Sequence, residues 1–425
     1  MGISSGGFLS GLGMEELRED LEGNEELAPV EENSSKEAEQ IGDDIEVAVG
    51  DMESLGNLKT ALESFATVPD DAAFFARMSV RRVERRYGLR TGAIASMESF
   101  DKDSVIISME SIGETLKKFW AMIKEKLTKL MEATKKFFEN FFNYFRRKKA
   151  KLDETEEKIK GGKEGEEKQS AGGGKTSSGR KVKVPGKAVY KNRHQLSSDI
   201  EISKAVGEFY SFSVKYDEVI NNSFTELLKE LEGSVSKGLA DIYDTYYRNI
   251  EKTMKELPLP DSIIIEPFHG RVGHFITGFE PVFMTPTQKS SEPDKLNRAP
   301  ITCYTYENVT EKDRLADMVE ISPIVGTPAL TLMGWLKKMN TFFAGKSLGL
   351  GFQRGMEIDK FIQSSMKKED EHDAMRQKVA QLALRHSGFL NDMEHRMYLT
   401  ARYLIETYDK VLNQSMDTTL DQSGN

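Results

Sequence analysis

ETLKKFWAMIKEKLTKLMEATKKFFENFFNYF, residues 114–145, carries the strongest periodic signal of the chain. Leu116, Trp120, Ile123, Leu127, Leu130, Thr134, Phe137, Phe141 and Phe145 alternate at steps of three and four, and Phe119, Met131, Phe138 and Phe142 widen the stripe. That spacing predicts an amphipathic α-helix of about eight turns. Its other face carries Lys117, Lys118, Lys124, Lys126, Lys129, Lys135 and Lys136, and it runs on into Arg146, Arg147, Lys148, Lys149 and Lys151. Three uses of such a helix are open. The apolar stripe packs on partner helices, as most do. Alternatively it lies in a membrane surface, where aromatic residues opposite lysines are well suited. In the third use, Lys117, Lys118, Lys124, Lys135, Lys136, Arg146, Arg147, Lys148 and Lys149 contact DNA phosphates without base specificity.

Beyond the helix, residues 153–195 mix charge, Gly and Ser without hydrophobic period, which predicts a flexible linker. From 196 to 417 the composition becomes globular. A long helical region at about 199–256, broken near Gly233, ends at Pro258 to Pro260. SIIIEPF, HFITGFEPVFM and APITCYTYENV then have the β-branched and aromatic residues and the Pro and Gly punctuation of short strands. Helices are expected again at about 311–320, 329–343 and 355–415. Before the helix, residues 1–50 are acidic, poor in aromatics and strewn with Gly, Asn and Ser. Such a stretch buries too little apolar surface to offset its ordering entropy. The expected fold is therefore mainly α, in five parts. An acidic, largely flexible segment spans 1–110, the basic amphipathic helix 111–152 and the linker 153–195. A helical C-terminal domain spans 196–417, with a small β insert at about 261–310, and a tail fills 418–425.

The chain has 425 residues, of which 38% are hydrophobic, below the roughly 45–50% of a compact globular chain. One cysteine, Cys303, excludes a disulfide framework and a thiolate metal cluster. No run of about 18 apolar residues exists to span a membrane, and the N-terminus lacks the pattern of a secretory signal. These features lead to the expectation of a soluble protein of a reducing compartment. The net charge of −10 conceals a segregation. Residues 1–110 hold 24 acidic and 10 basic side chains, a net −14; residues 111–200 carry +11 and residues 201–425 carry −7. Without its first 110 residues the chain would carry +4.

Catalytic chemistry is poorly represented. GGGKTSS, Gly172 to Ser178, looks like a phosphate-binding loop, but the position five before Gly174 is Gln169 and the flanks are low-complexity. His194, His269, His274, His372, His386 and His395 have no metal-ligand spacing, and no nucleophile–base pair is visible. Cys303 sits among apolar residues and reads as packing. The expectation is a non-enzyme with no catalytic residue, metal or cofactor.

What does stand out is a repeated tetrapeptide. DMES (Asp51 to Ser54), ALES (Ala61 to Ser64), SMES (Ser96 to Ser99) and SMES (Ser108 to Ser111) all lie within 51–111, and the pattern does not recur elsewhere. Helix capping explains them badly, because a capping box wants the hydroxyl ahead of the acid. Serial recognition sites for one protease explain them better. Ala61–Glu63, Ser96–Glu98 and Ser108–Glu110 match the small-X-Glu motif after which prohead proteases of large tailed phages cut head proteins. Asp51–Glu53 departs from it at the first position. With its acidic N-terminal segment ahead of a helical region, and with ALTLMGWLKKMNTFF (Ala329 to Phe343), the chain resembles the internal head proteins of phiKZ-like jumbo phages.

That resemblance implies a structural protein of the capsid interior, made in the host cytoplasm and cut by the prohead protease after Glu63, Glu98 and Glu110. The acidic segment is then a propeptide, and the mature protein begins at Ser111, just before the basic helix. Implied partners are the protease, other head proteins and packaged double-stranded DNA, with ejection alongside the genome as a further expectation and a membrane surface as the lesser one. The alternative is a transient assembly scaffold, degraded throughout as the head matures. Clustering of the motifs before residue 112 favours a large surviving piece.

Overall fold

The computed structural model describes residues 70–88, 102–169, 181–265, 270–285, 301–304, 317–345, 349–366 and 373–423, together with helical positions 41, 44, 47, 48, 51, 54, 55 and 58. Helix α1 is Asp70–Tyr87 and α2 is Lys102–Gln169. At 68 residues α2 is about 100 Å long. It contains the whole quoted stretch and continues well past it. The linker expected over 153–195 is corrected on both of its described parts: 153–169 is helix, and 181–195 is folded.

The helix continues because its apolar face continues. Leu152, Thr155 and Ile159 keep the three-and-four step and are buried, amid charges that hide the period from composition. After α2 come β1 (Val182–Pro185), β2 (Tyr190–Lys191) and β3 (His194–Gln195). Val182 and Val184 alternate inward from β1, which pairs antiparallel with β8 (Met318–Ile321), Val182 opposite Ile321. The helix expected at 311–320 is therefore a strand over its described part. β2 and β3 form a tight hairpin whose two turn residues, Asn192 and Arg193, both take positive φ, as a primed turn requires.

Helix α3 (Asp199–Ser234) starts at a capping box: the Ser198 hydroxyl accepts from the Glu201 amide, and the Glu201 carboxylate accepts from the Ser198 amide. It is separated from α4 (Leu239–Glu256) by a short 3₁₀ turn and Gly238 at φ +106°, a conformation suited to glycine. The first helix thus ends at Ser234, beside the expected Gly233, and the break runs from there to Gly238. β4 (Ile263–Ile265), β5 (Gly270–Val272), β6 (Glu280–Phe283) and β7 (Ile301–Tyr304) form a four-stranded antiparallel meander inside the expected β insert. Helices α5 (Gly326–Gly345), α6 (Gly349–Met366) and α7 (Asp373–Ser423) complete the chain.

One hydrophobic cluster runs through all of this. Phe145 of α2 stacks on Phe343 of α5 at 5.6 Å, and both meet Tyr398 of α7. Phe209 and Phe212 of α3 meet Phe275 and Phe279 beside the meander. Such aromatic pairs add about 0.5–1.5 kcal/mol each beyond their buried area. Helices α3 and α5 approach closely at Gly207, where a Cβ would lie 2.8 Å from the Trp335 ring. Arg354 of α6 makes a buried two-pronged ion pair with Glu394 of α7, both bonds 2.8 Å, and donates to Asn391. A buried pair of this kind fixes register more than it adds stability.

Within the acidic segment 1–110, α1 and the described positions between 41 and 58 are helical. Ala48 and Leu55 are fully buried in the common cluster, with Val80 and Val83 of α1 and Ile123 of α2. Ile41 and Leu58 pack against it.

Candidate functional site

The surface of α2 divides cleanly. Of the described members of the apolar stripe, Ile123 and Phe145 are buried in the core, Met131 packs against it and Phe142 is half-buried; Tyr144, Leu152 and Ile159 also point inward. Lys118, Lys129, Lys135, Lys136, Arg146, Arg147 and Lys149 lie on the exposed side. At 100° per residue most of these cations fall on one outward stripe. Part of the charge is compensated locally: Lys129 pairs with Glu125 at 2.8 Å, and Lys135 lies 3.8 Å from Glu139. The hydrogen bond from Lys129 holds the Glu125 carboxyl below its ordinary range. Toward the C-terminal half the balance turns positive. The Arg146 guanidinium sits 4.1 Å above the Phe142 ring, which orients it along the helix surface. Arg147 Nε donates to the Asn143 carbonyl at 3.3 Å.

Two of the expected contact residues are placed otherwise. Lys148 points into the core, where its ammonium pairs with Asp409 of α7 at 2.6 Å with little exposure on either side. Its position on the helix puts it on the buried stripe, so it anchors α2 rather than offering charge to a ligand. Asp409 also accepts from Thr155 at 2.8 Å, and Asn413 completes the polar seam. Lys124 is half-buried and faces Asp359 of α6 at 3.5 Å. Lys117 lies on the helix, with its side chain outside the described residues. On the other flank, Lys337 of α5 reaches Asp153 at 2.5 Å and Glu156 at 2.6 Å. Asn340 donates to the Phe145 carbonyl at 2.9 Å.

Of the three cleavage positions, Glu110 lies in the third turn of α2, not in an irregular segment. Cutting there needs the helix start to open, which is the part of any helix that frays most readily. Glu63 and Glu98 lie outside the described residues. They fall in the connections between position 58 and α1, and between α1 and α2.

Sequence reasoning missed the contacts that dock the N-terminal segment. Asp44 pairs with Lys126 of α2. Asp51 accepts from Arg86 at 2.5 Å and from the Tyr87 hydroxyl at 2.8 Å. Burial and the acceptor Asp51 push the Tyr87 hydroxyl up to about 12. The signal was present: Ile41, Asp44, Ala48, Asp51, Leu55 and Leu58 step by three and four along one helix face.

Other titratable groups are structural. Cys303 is buried, and burial pushes its thiol well above its ordinary value. His274 Nδ1 lies 2.9 Å from Glu280. Burial pushes the His386 ring down to about 3, so it stays neutral between the Phe224 and Tyr246 rings. Among the described residues no group of three or more His, Cys, Asp or Glu is placed to hold a metal. No described helix is long and apolar enough to cross a membrane.

Compared with known proteins, residues 33–256, just over half of the chain, match the model of a family described as phiKZ-like phage internal head proteins. No curated protein and no solved structure matches.

Proposed function

Since the chain belongs to the phiKZ-like phage internal head proteins, a structural family of the head interior, we propose that it enters the head as a precursor and matures there by cleavage after Glu63, Glu98 and Glu110. The mature piece then holds packaged duplex DNA without base specificity through the outward face of α2. The observation that carries the DNA reading is the cluster of exposed cations on the C-terminal half of that face: Lys135, Lys136, Arg146, Arg147 and Lys149. The opposite face of the same turns is anchored by Tyr144, Phe145 and Lys148, so the cations are presented on a rigid rod.

Charge supports the order of events. The precursor carries −10 and the piece from Ser111 carries +4, so removal of the N-terminal segment reverses the long-range field felt by a polyanion. Phosphate contact of this kind is dominated by counterion release, with a slope of log affinity against log salt of about −0.9 per neutralised phosphate. Five cations give a slope of about −4.5, hence an affinity loss of about 500-fold between roughly 50 and 200 mM salt.

The test is duplex binding by protein recovered from heads across that salt range. The expected result is a steep slope that Arg146→Glu with Arg147→Glu makes shallower by about two. A flat dependence, or no binding at low salt, would remove the DNA reading. Flotation with anionic vesicles in the same buffers tests the membrane-surface use of the helix: protein that remains with the vesicles at the DNA-binding salt would favour it.

A further inference from the structure

The N-terminal region carries a feature that processing alone does not call for. Its described helical positions are seated on the body of the protein, and in sequence the cuts after Glu63 and Glu98 fall between them and the next helix. Positions 41, 44, 48, 51, 55 and 58 form one helix face whose apolar members are buried or packed on the core. Its two described acids are both partnered: Asp44 with Lys126 of α2, and Asp51 with Arg86 and Tyr87 of α1. Val80 and Val83 of α1 and Ile123 of α2 are buried in the same hydrophobic cluster as Ala48 and Leu55, and Met122 is half-buried and packed against it. Glu63 lies between this seated face and α1, and Glu98 lies between α1 and α2.

The distribution of charge over the fragments is uneven. Residues 1–63 hold 17 acidic and 3 basic side chains, a net −14, whereas residues 64–98 hold 4 acidic and 6 basic, a net +2. Cleavage after Glu63 alone therefore separates the whole net negative charge of the N-terminal region from the body.

We propose that the surface formed by Ile123 and Lys126 of α2 with Arg86 and Tyr87 of α1 is a binding site for an acidic amphipathic helix, filled in the precursor by the face of positions 41, 44, 48, 51, 55 and 58 and opened when the cut after Glu63 turns that segment into a separate ligand. The inference rests on the cleavage reading above, and extends it by naming which cut matters and what it releases. While covalently attached, the segment is held at the high effective concentration of a short tether; once cut, it is retained only by its own contacts. Those contacts are a few apolar side chains and partly exposed ion pairs, which salt weakens. Retention after cleavage is thus conditional on ionic strength and on competing polyanions, and release uncovers Lys126 beside the cationic stripe.

The experiment uses the full chain with a recognition sequence for a site-specific protease placed at residues 60–66, outside the seated face. After cutting, size-exclusion chromatography follows residues 1–63 against the remainder at about 50 and about 500 mM salt, a range across which screening of exposed pairs changes strongly. The inference expects co-elution at the lower salt and separation at the higher, or on addition of a 30-base-pair duplex. Asp44→Lys and Lys126→Asp should each weaken retention about fivefold, and the double variant should restore it, which a merely misfolded protein would not do. Elution apart at low salt in the unmutated protein, or weakening that the double swap does not rescue, would overturn it. If the fragment is retained and rescued as expected but the stripped body binds no duplex at any salt, the binding site stands and the DNA reading falls.

Discussion

Lys148 is an anchor and its neighbour Lys149 a surface cation, a difference that can be measured. Lys148 pairs with Asp409 at 2.6 Å, with side-chain exposures of 14% and 9%. Asp409→Asn keeps an oxygen for Thr155 but sets an amide against a buried ammonium. Breaking a fully buried pair costs roughly 3–5 kcal/mol, and the residual exposure of Lys148 lowers this to about 2–3 kcal/mol. For a chain of this size that is a fall in melting temperature of about 3 °C. Lys148→Met should cost less, about 1–2 kcal/mol, because Asp409 retains Thr155 and Asn413 as donors. The pair Lys148→Met with Asp409→Leu should recover much of the larger loss, since an apolar replacement of both partners removes the unpaired charge. Urea unfolding of the unmutated protein, Lys148→Met, Asp409→Leu and the pair gives the coupling energy directly, with Asp409→Asn measured alongside. Duplex binding on the same samples supplies the functional half: Lys149→Met should reduce the salt slope by about 0.9, and Lys148→Met should leave it unchanged. Equal salt slopes for the two lysine variants, or wild-type stability for Asp409→Asn, would refute the placement.

Gly207→Ala should destabilise by about 1–2 kcal/mol, the strain of a Cβ placed 2.8 Å from the Trp335 ring outweighing the helix-propensity gain; thermal unfolding checks it, and trimming the ring with Trp335→Leu should abolish the penalty. His386 is buried with its pKa lowered to about 3. Its unfolded value is near 6.5, so the unfolded state binds the extra proton first, and stability should fall as pH drops below about 6.5, by up to about 1.4 kcal/mol per pH unit. His386→Phe should flatten that dependence in urea titrations between about pH 7 and 4.

Much of the fold was legible where periodicity is local. The amphipathic stretch at 114–145 reads as helix because its apolar side chains recur every three or four residues, and Ile123, Met131 and Phe145 among them are buried in or packed on the core. The end of α2 was not legible: between Leu152 and Ile159 the apolar positions are few, and partners 181 to 254 residues away, Lys337 and Asp409, hold them in place. The strand at Val182–Pro185 was missed for the same reason, since four alternating residues say little until Ile321 is brought opposite Val182. The meander was legible from β-branched residues and punctuation, its register was not. For the site, the outward cations were found by residue type, but Lys148 could not be told from Lys149 until the neighbouring helices fixed which way each faces. Asp44 and Asp51 were lost in a composition that reads as solvated charge.

The most direct measurement is mass spectrometry of this protein in purified phage heads, with semi-tryptic peptides used to map its N-terminus. The expected result is a new terminus at Ser111, or at Ser99 or Ser64 in partly processed molecules, with peptides from residues 1–63 depleted and those from α2 through α7 abundant. Full coverage from residue 1, or absence of the protein from heads, would contradict it.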